Sequence, residues 1–258
     1  MLKSARAGQT TQSLNNKIGQ AVSVGGNGSG WDIDDDFTSY ANDTAFNVVY
    51  PRTDTTYNQG NASSDRLDYS TVANTTVKSL ARDYGSTISD TNWITRFRWN
   101  ITVKTLNSSG FDITESIGWS SADYTVSVST NQDGIGIISY QDNLNRNYYD
   151  FYADNVQFNG MIGMAGGNFG TKFDTVGSVD QNYYVQQVRD SATQITTGLY
   201  SDEYSTLVEQ EVTTIPSTVS NLRYFSMKGN DWGTSSGGAQ DGYVHTYLRF
   251  ADGVSVPP

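Results

Sequence analysis

The clearest order in the chain is a two-residue alternation. In NWITRFRWNITVK, residues 92–104, Trp93, Phe97, Trp99, Ile101 and Val103 fall on one side, and Arg96, Arg98, Asn100, Thr102 and Lys104 fall on the other. A strand with one buried face requires this pattern. Further runs of the same kind follow: DYTVSVS, with Tyr124, Val126 and Val128 sharing a face, then GIGIISY, NYYDFYA, NYYVQQV, QITTGLY, LVEQEVT, NLRYFSM and GYVHTYLRF. Clusters of Gly, Asn and Asp separate them, and MIGMAGGNFG and GTSSGG mark longer loops. This rhythm predicts a sandwich or jelly roll rather than βαβ units. No fixed-period repeat points to a propeller or solenoid.

Residues 1–30 break the pattern. They are polar, carry only a short helical signal over Ser13–Val22, and end in the glycine-rich SVGGNGSG. They read as an N-terminal arm or linker, of the kind that straps one subunit to another in assembled particles, and residues 31–258 read as one domain. Ile33 and Phe37 are the expected first inward anchors. The aspartates around them in GWDIDDDF are expected to be solvated charge at the junction of arm and domain.

Composition supports the all-β reading. Of 258 residues only 17% are charged and 36% are hydrophobic, with 17 Tyr, and Thr, Val and Tyr suit half-buried pleated surfaces while Asn, Gly and Asp suit turns. The net charge of −11 argues against nucleic acid, which needs a basic patch or stripe. With no Cys and a single His, His245, disulfide frameworks, thiolate sites and His-rich metal chemistry fall away. No signal-peptide core and no membrane-length apolar run is visible, so membrane insertion is not expected. A tyrosine-rich, uncharged-polar surface without a secretory leader fits a virion protein, made in the cytoplasm and extracellular after release.

Several segments resemble a family. ISDTNWITRFRWNIT (88–102) resembles a strand of the form SDTxWxLRFxLxFT found in concanavalin A-like or laminin-G-like jelly rolls of environmental microbial and viral proteins. The run NYYVQQVRDSATQITTGLYSDEYSTLVEQEVTTIPSTVSNLRYFSM (182–227) is similar to the same family's YYVxxxR strand, its LYSD strand and its TIPSTV connection. GYVHTYLRFADG (242–253) resembles the closing strand, which in that family pairs beside the first. The resemblance covers roughly residues 85–105 and 180–253. It implies an all-β, two-sheet antiparallel β-sandwich, a concanavalin A-like jelly roll with an N-terminal arm, and it fixes no activity, because lectins, glycosidases, lyases and structural modules share this architecture.

The residues offer few candidate chemistries. A glycosidase needs paired carboxylates, and Glu209 and Glu211 share one strand face about 7 Å apart. The E-x-D-x-E pattern of jelly-roll glycosidases is broken, however, by Leu207, and Val208 and Val212 mark the opposite face as the core side, so both glutamates are expected to face solvent and no catalytic residue is assigned. Around His245, Val244, Thr246, Leu248 and Phe250 form the expected core stripe. Tyr243, His245, Tyr247 and Arg249 then share the other face, with Trp232 in the adjacent loop. This row is either a cross-strand ladder or subunit contact or a glycan site, whose rings and donors suit sugars.

For metals, only Ca2+ suits the available oxygen ligands. Asp32, Asp34, Asp36 and Asp43 fall in an EF-hand register, but Phe37 stands where that loop needs Gly, which leaves at most a looser rim site; no metal or other cofactor is assigned. Six Asn-x-Ser/Thr sequons, at Asn27, Asn42, Asn61, Asn74, Asn100 and Asn107, match the number expected by chance at this composition. The sequence therefore points to a non-enzymatic virion surface component, such as a capsid-decorating, turret or fibre protein. Its expected partners are other virion proteins and itself in a homo-oligomer, with a cell-surface glycan as a further ligand. A lectin-like module of a microbial surface is the second reading and a jelly-roll glycosidase the third.

Overall fold

The computed structural model describes residues 30–37, 39–41, 43–51, 67–72, 78–103, 112–121, 123, 134–141, 147–154, 169–176, 181–215, 217, 219–229, 240–245 and 247–254. The expected arm before Gly30, its short helical signal, the DYTVSVS strand and the Trp232 loop lie outside these residues. Among the described residues there are fourteen strands and one helix: β1 (Ile33–Asp35), α1 (Asp43–Val49), β2 (Leu67–Val72), β3 (Lys78–Asp83), β4 (Trp93–Val103), β5 (Asp112–Ser120), β6 (Gly134–Gln141), β7 (Asn147–Asp154), β8 (Phe169–Val176), β9 (Asn182–Ser191), β10 (Gln194–Tyr200), β11 (Leu207–Thr214), β12 (Tyr224–Gly229), β13 (Gln240–His245) and β14 (Leu248–Asp252).

The strands form two antiparallel sheets. The larger runs β1-β14-β4-β9-β10-β11, with β13 continuing the β14 side of β4 and pairing in turn with β2. The smaller runs β3-β12-β5-β6-β7-β8. The closing strand β14 lies between β1 and β4, with Phe250 opposite Ile33, as the resemblance implies.

The alternation of β4 fixes which face is inside. Trp93, Thr95 and Phe97 are fully buried, and so are their register partners Leu248 and Phe250 on β14 and Val185 on β9. Ile117, Trp119, Ile135, Ile137, Phe225 and Met227 meet them from the smaller sheet. Trp119 joins the layers: its ring centroid lies 4.2 Å from that of Phe250 and 5.5 Å from that of Phe225, and its indole N–H donates to Thr95 Oγ1 at 2.7 Å. That bond satisfies both buried polar groups, whose isolation would cost about 1–3 kcal/mol each. Beneath Trp119, Gly118 faces Gly136 across β5 and β6 at a close approach, and a Cβ on Gly118 would stand 2.2 Å from the Ile135 carbonyl oxygen.

Ile33 and Phe37 are buried as expected. Asp32 and Asp36 are exposed, but Asp34 and Asp35 are not the solvated charge that the sequence suggested. Asp35 is 6% exposed and accepts from Phe37 N (2.9 Å), the Tyr40 and Tyr50 hydroxyls (2.5 and 2.9 Å) and Arg82 Nη1 (2.9 Å). Asp34 pairs with Arg249 at 3.0 Å, and Asp32 accepts from the Asp252 N–H at 2.8 Å. The Asp35 cluster ties β1 of one sheet to β3 of the other. Phe46 and Tyr50, on and just after α1, stack at 4.8 Å beside it.

β11 also differs from expectation. Glu209 pairs with Leu199 and Glu211 with Thr197, and both partners are fully buried on the inner face. The glutamates therefore occupy inward positions at the sheet edge, where β11 lies beside β8. Val208 and Val212 take the outer face and remain 47% exposed. An edge strand has a neighbour on one side only, so its apolar side chains are no guide to the core side.

Candidate functional site

The outer face of the larger sheet is built by the even-numbered positions of β4, β9 and β10. Register aligns them in rows. One row runs Asp34, Arg249, Arg96, Gln186, Gly198 and Gln210 across six strands. The next runs Arg98, Tyr184 and Tyr200, and Asn100 stands opposite Asn182 in a third. The rows are cross-linked: Arg96 Nε donates to Gln186 Oε1 at 2.8 Å, Arg98 Nη2 to Asn182 Oδ1 at 2.6 Å, and Asn100 Nδ2 to the same oxygen at 2.8 Å. Gly198 leaves room for an aromatic ring, since a Cβ there would stand 2.7 Å from Tyr200 Cε2.

The turn from β10 to β11, residues 201–206, folds a third tyrosine onto this surface. Asp202 Oδ1 accepts from Ser205 N (3.0 Å) and Thr206 N (2.7 Å), and Oδ2 accepts from Thr206 Oγ1 (2.7 Å). The bonds from Thr206 and Ser205 hold the Asp202 carboxyl at about 2, well below its ordinary value. Within that turn Tyr204 adopts φ 65°, a left-handed conformation rare for a bulky residue. Its ring packs edge-on against Tyr184, Tyr200 and Tyr247 at 5.8, 5.5 and 6.4 Å. The Tyr247 hydroxyl donates to the Tyr204 hydroxyl at 2.7 Å, and that hydroxyl reaches the Phe97 carbonyl at 3.4 Å.

Guanidinium groups interleave with these rings. Arg96 lies 4.1 Å from the Tyr204 centroid and 5.6 Å from that of Trp31, Arg98 lies 6.0 Å from Tyr184, and Arg249 lies 4.9 Å from Tyr247, all within cation–π range. Burial pushes the Tyr204 and Tyr247 phenols up, so both are neutral hydrogen-bonding groups at neutral pH. Burial lowers Arg96. Burial also works against the Arg249 charge, but the bond and charge of Asp34 outweigh it and raise its pKa. A rigid lattice of flat rings, amides and fixed positive charge can hold a polar, ring-shaped ligand and orient its substituents.

Of the residues expected here from sequence, the structure brings Tyr247 and Arg249 together on this face. Tyr243 and His245 belong to β13 and do not continue their row. Pairing runs from Val244 opposite Asn100 to Leu248 opposite Phe97, so one residue is extra on the β13–β14 side and the alternation changes phase. Val244, expected in the core stripe, therefore holds the register position beside outer-face Asn100, and Tyr243 the position beside Ile101. Trp232 lies outside the described residues. Arg96 and Arg98 were legible as polar positions of their strand, but no sequence signal joined them to Tyr184 or to Tyr204, which arrives from a turn.

In the EF-hand register, Asp32 and Asp34 are already engaged elsewhere. Asp34 and Asp32 are directed at Arg249 and at the Asp252 backbone, and Asp43 begins α1. Among the described residues no group of three or more His, Cys, Asp or Glu is placed to hold a metal ion.

No family model matches the chain, and no characterised protein matches it by sequence. Solved structures match it in shape. The carbohydrate recognition domain of Emp46p, in a metal-free form, gives a TM-score of 0.57 at 9% identity, covering 87% of this chain and 99% of that one. The exoplasmic/lumenal domain of VIP36, in a Ca2+/Man3GlcNAc-bound form, gives 0.53 at 10% identity over 79% and 84%. A sialidase gives 0.52 at 10% identity, over 85% of this chain and 18% of its own. The likeness is one of fold: the chain is a two-sheet antiparallel β-sandwich, a concanavalin A-like jelly roll.

Proposed function

We propose that this protein binds carbohydrate, without turnover, on the outer face of its larger sheet. The observation that carries the reading is the lattice itself. Tyr184, Tyr200, Tyr204 and Tyr247 are interleaved with Arg96, Arg98, Gln186, Asn182 and Asn100, and locked by register and mutual hydrogen bonds. The partly exposed rings of Tyr184, Tyr200 and Tyr204 offer flat apolar area to the C–H faces of sugars, buried Tyr247 braces Tyr204 through its hydroxyl, and the amides and guanidiniums offer hydrogen bonds to hydroxyls. Two matched structures are a carbohydrate recognition domain and a Man3GlcNAc-bound domain by their own descriptions, which is in keeping with a sugar ligand.

Two features favour binding over catalysis. Phenols held well above neutrality are poor bases at pH 7. Glu209 and Glu211, the one carboxylate pair singled out by spacing, sit at inward positions of β11 away from the tyrosine lattice. A virion surface, the setting suggested by composition, would use such a face for attachment to host glycans, and homo-oligomerisation would multiply weak single-site affinity.

The test is a glycan array probed with wild type, Tyr184→Ala and Tyr200→Ala, each checked for an unchanged melting temperature. Binding that is lost or sharply weakened in both variants is the expected result. A silent array for the wild type, or binding indifferent to both substitutions, would overturn the proposal. Release of new reducing or unsaturated ends from a polysaccharide would overturn its non-enzymatic part.

A further inference from the structure

The described arginines differ in what holds their charge. Arg82 pairs with Asp35, Arg223 with Asp83, and Arg249 with Asp34 and Glu203. Arg189, fully buried, donates to the carbonyls of Ser191, Ala192 and Val219. Arg98 donates to the neutral Asn182 amide and lies over the Tyr184 ring, and Arg96 is held in a similar way. Its Nε is fixed by the neutral Gln186 amide, the rings of Tyr204 and Trp31 lie against its guanidinium, and among the described residues no acceptor takes Nη1 or Nη2. Its neighbours in the row are Arg249 and Gln186. In a chain of net charge −11, a partly buried guanidinium that is immobilised and given no carboxylate is held at a cost, which a bound anion would offset.

We infer that Arg96 anchors the carboxylate of an acidic saccharide, such as a uronic acid residue, on the face proposed above to bind carbohydrate. The free Nη1/Nη2 edge is a fork whose two N–H groups match the two oxygens of a carboxylate. The fixed Nε bond and the flanking rings set the plane in which that fork lies. The carboxylate-bearing ring then falls between Tyr204 and the Gln186–Asn182 side of β9, where amides meet its hydroxyls. Arg249 and Arg98 add positive field on either side, although each is already engaged with its own partner. This assignment rests on the carbohydrate reading and deepens it.

Isothermal titration of the full chain with an oligouronate, its carboxyl-reduced counterpart and a sulfated neutral oligosaccharide of the same length tests it. The wild type is expected to bind the oligouronate roughly 10- to 100-fold more tightly than the carboxyl-reduced form, as a charge-assisted bidentate contact allows. Arg96→Gln is expected to erase that ratio, with the oligouronate affinity falling far more than the carboxyl-reduced affinity, and Arg96→Lys to restore only part of it. Equal affinity for the acidic and reduced forms overturns the inference and leaves carbohydrate binding standing. So does a preference that survives in Arg96→Gln. Tighter binding of the sulfated ligand overturns the carboxylate assignment. Failure of all three ligands, with a silent glycan array, overturns both proposals. Where Arg96→Gln does not fold, the wild-type ratio tests the acidic ligand and the Arg96→Lys ratio tests the residue.

Discussion

Asp35→Asn isolates the worth of a buried charge in this fold. The substitution keeps the shape of the side chain and removes its charge, leaving Arg82, whose side chain is 10% exposed, as an uncompensated cation between the sheets. It also sets an amide N–H2 either against the Phe37 N–H, which now donates to Oδ1, or against the Tyr40 and Tyr50 hydroxyls and Arg82, which now donate to Oδ2. Breaking one side of a buried pair costs about 3–5 kcal/mol. For a domain of this size each kcal/mol moves Tm by about 2–4 °C, so the expected fall is roughly 6–20 °C. The exposed pair Arg223–Asp83 is the internal control. Its 2.6 Å contact is shorter, but its side chains are 39% and 44% exposed, so Asp83→Asn should cost less than about 1 kcal/mol. Urea unfolding followed by the fluorescence of buried Trp93 and Trp119 reads both, as a shift in midpoint at constant slope. An Asp35→Leu/Arg82→Met double variant should recover much of the loss, because no charge is then buried. If Asp35→Asn cost no more than Asp83→Asn, or if the double variant were the sum of its parts, burial would not be what gives this pair its weight.

Other expectations follow from individual contacts. Gly118→Ala should cost more than about 3 kcal/mol, because its Cβ meets the backbone of Ile135 and Gly136 at 2.2 and 2.4 Å; Gly198→Ala should leave Tm nearly unchanged but weaken saccharide binding, because there only the Tyr200 ring must move. Tyr40, Tyr50 and Tyr247 are buried and held above the ordinary value of 10.0, chiefly by that burial. The unfolded chain therefore ionises first: their contribution is whole below about pH 10 and is lost as pH rises beyond it, at up to ~1.4 kcal/mol per pH unit for each. Phenolate absorbance should appear together with unfolding, and ordinary titration of these residues in the folded state would contradict this. Asp202→Ala should free the 201–206 turn, raising amide exchange at Ser205 and Thr206 and weakening saccharide binding with little change in Tm. In the wild type the Asp202 bonds are complete above its ordinary 3.8 and should persist until pH falls to about 2.

Where local pattern and burial agree, the sequence was a sufficient guide. QITTGLY is β10 to the residue, and β4 and most of β9 follow their alternation. The pattern weakens where buried positions are polar: Gln187 and Arg189 are fully buried on β9, and β3 and β5, written KSLARD and DITESIGWS, carry too few apolar residues to be read as strands. It inverts on β11, where the exposed edge carries the valines. Asp35 was misread because two of its partners, Tyr50 and Arg82, come from positions 15 and 47 residues further on, beyond any local window. The binding face was half legible. Arg96, Arg98 and Tyr247 could be assigned to polar or aromatic rows, but the phase change between β13 and β14 and the arrival of Tyr204 from a turn are properties of register and loop geometry that no spacing announces.

The inward glutamates of β11 have a consequence for how two molecules meet. β11 ends the described order of its sheet, pairs there with β10 alone, and carries Leu207, Val208 and Val212 about half exposed, the profile of an edge that could recruit a second copy and grow into a fibril. Antiparallel pairing of two such strands about Gln210 would set Glu209 against Glu211 of the other copy, twice. Centred one residue to either side, it would set a glutamate against itself. Every register that pairs the middle of the strand thus opposes like charges, which is unfavourable. The described edge at β11 carries its own guard against polymerisation.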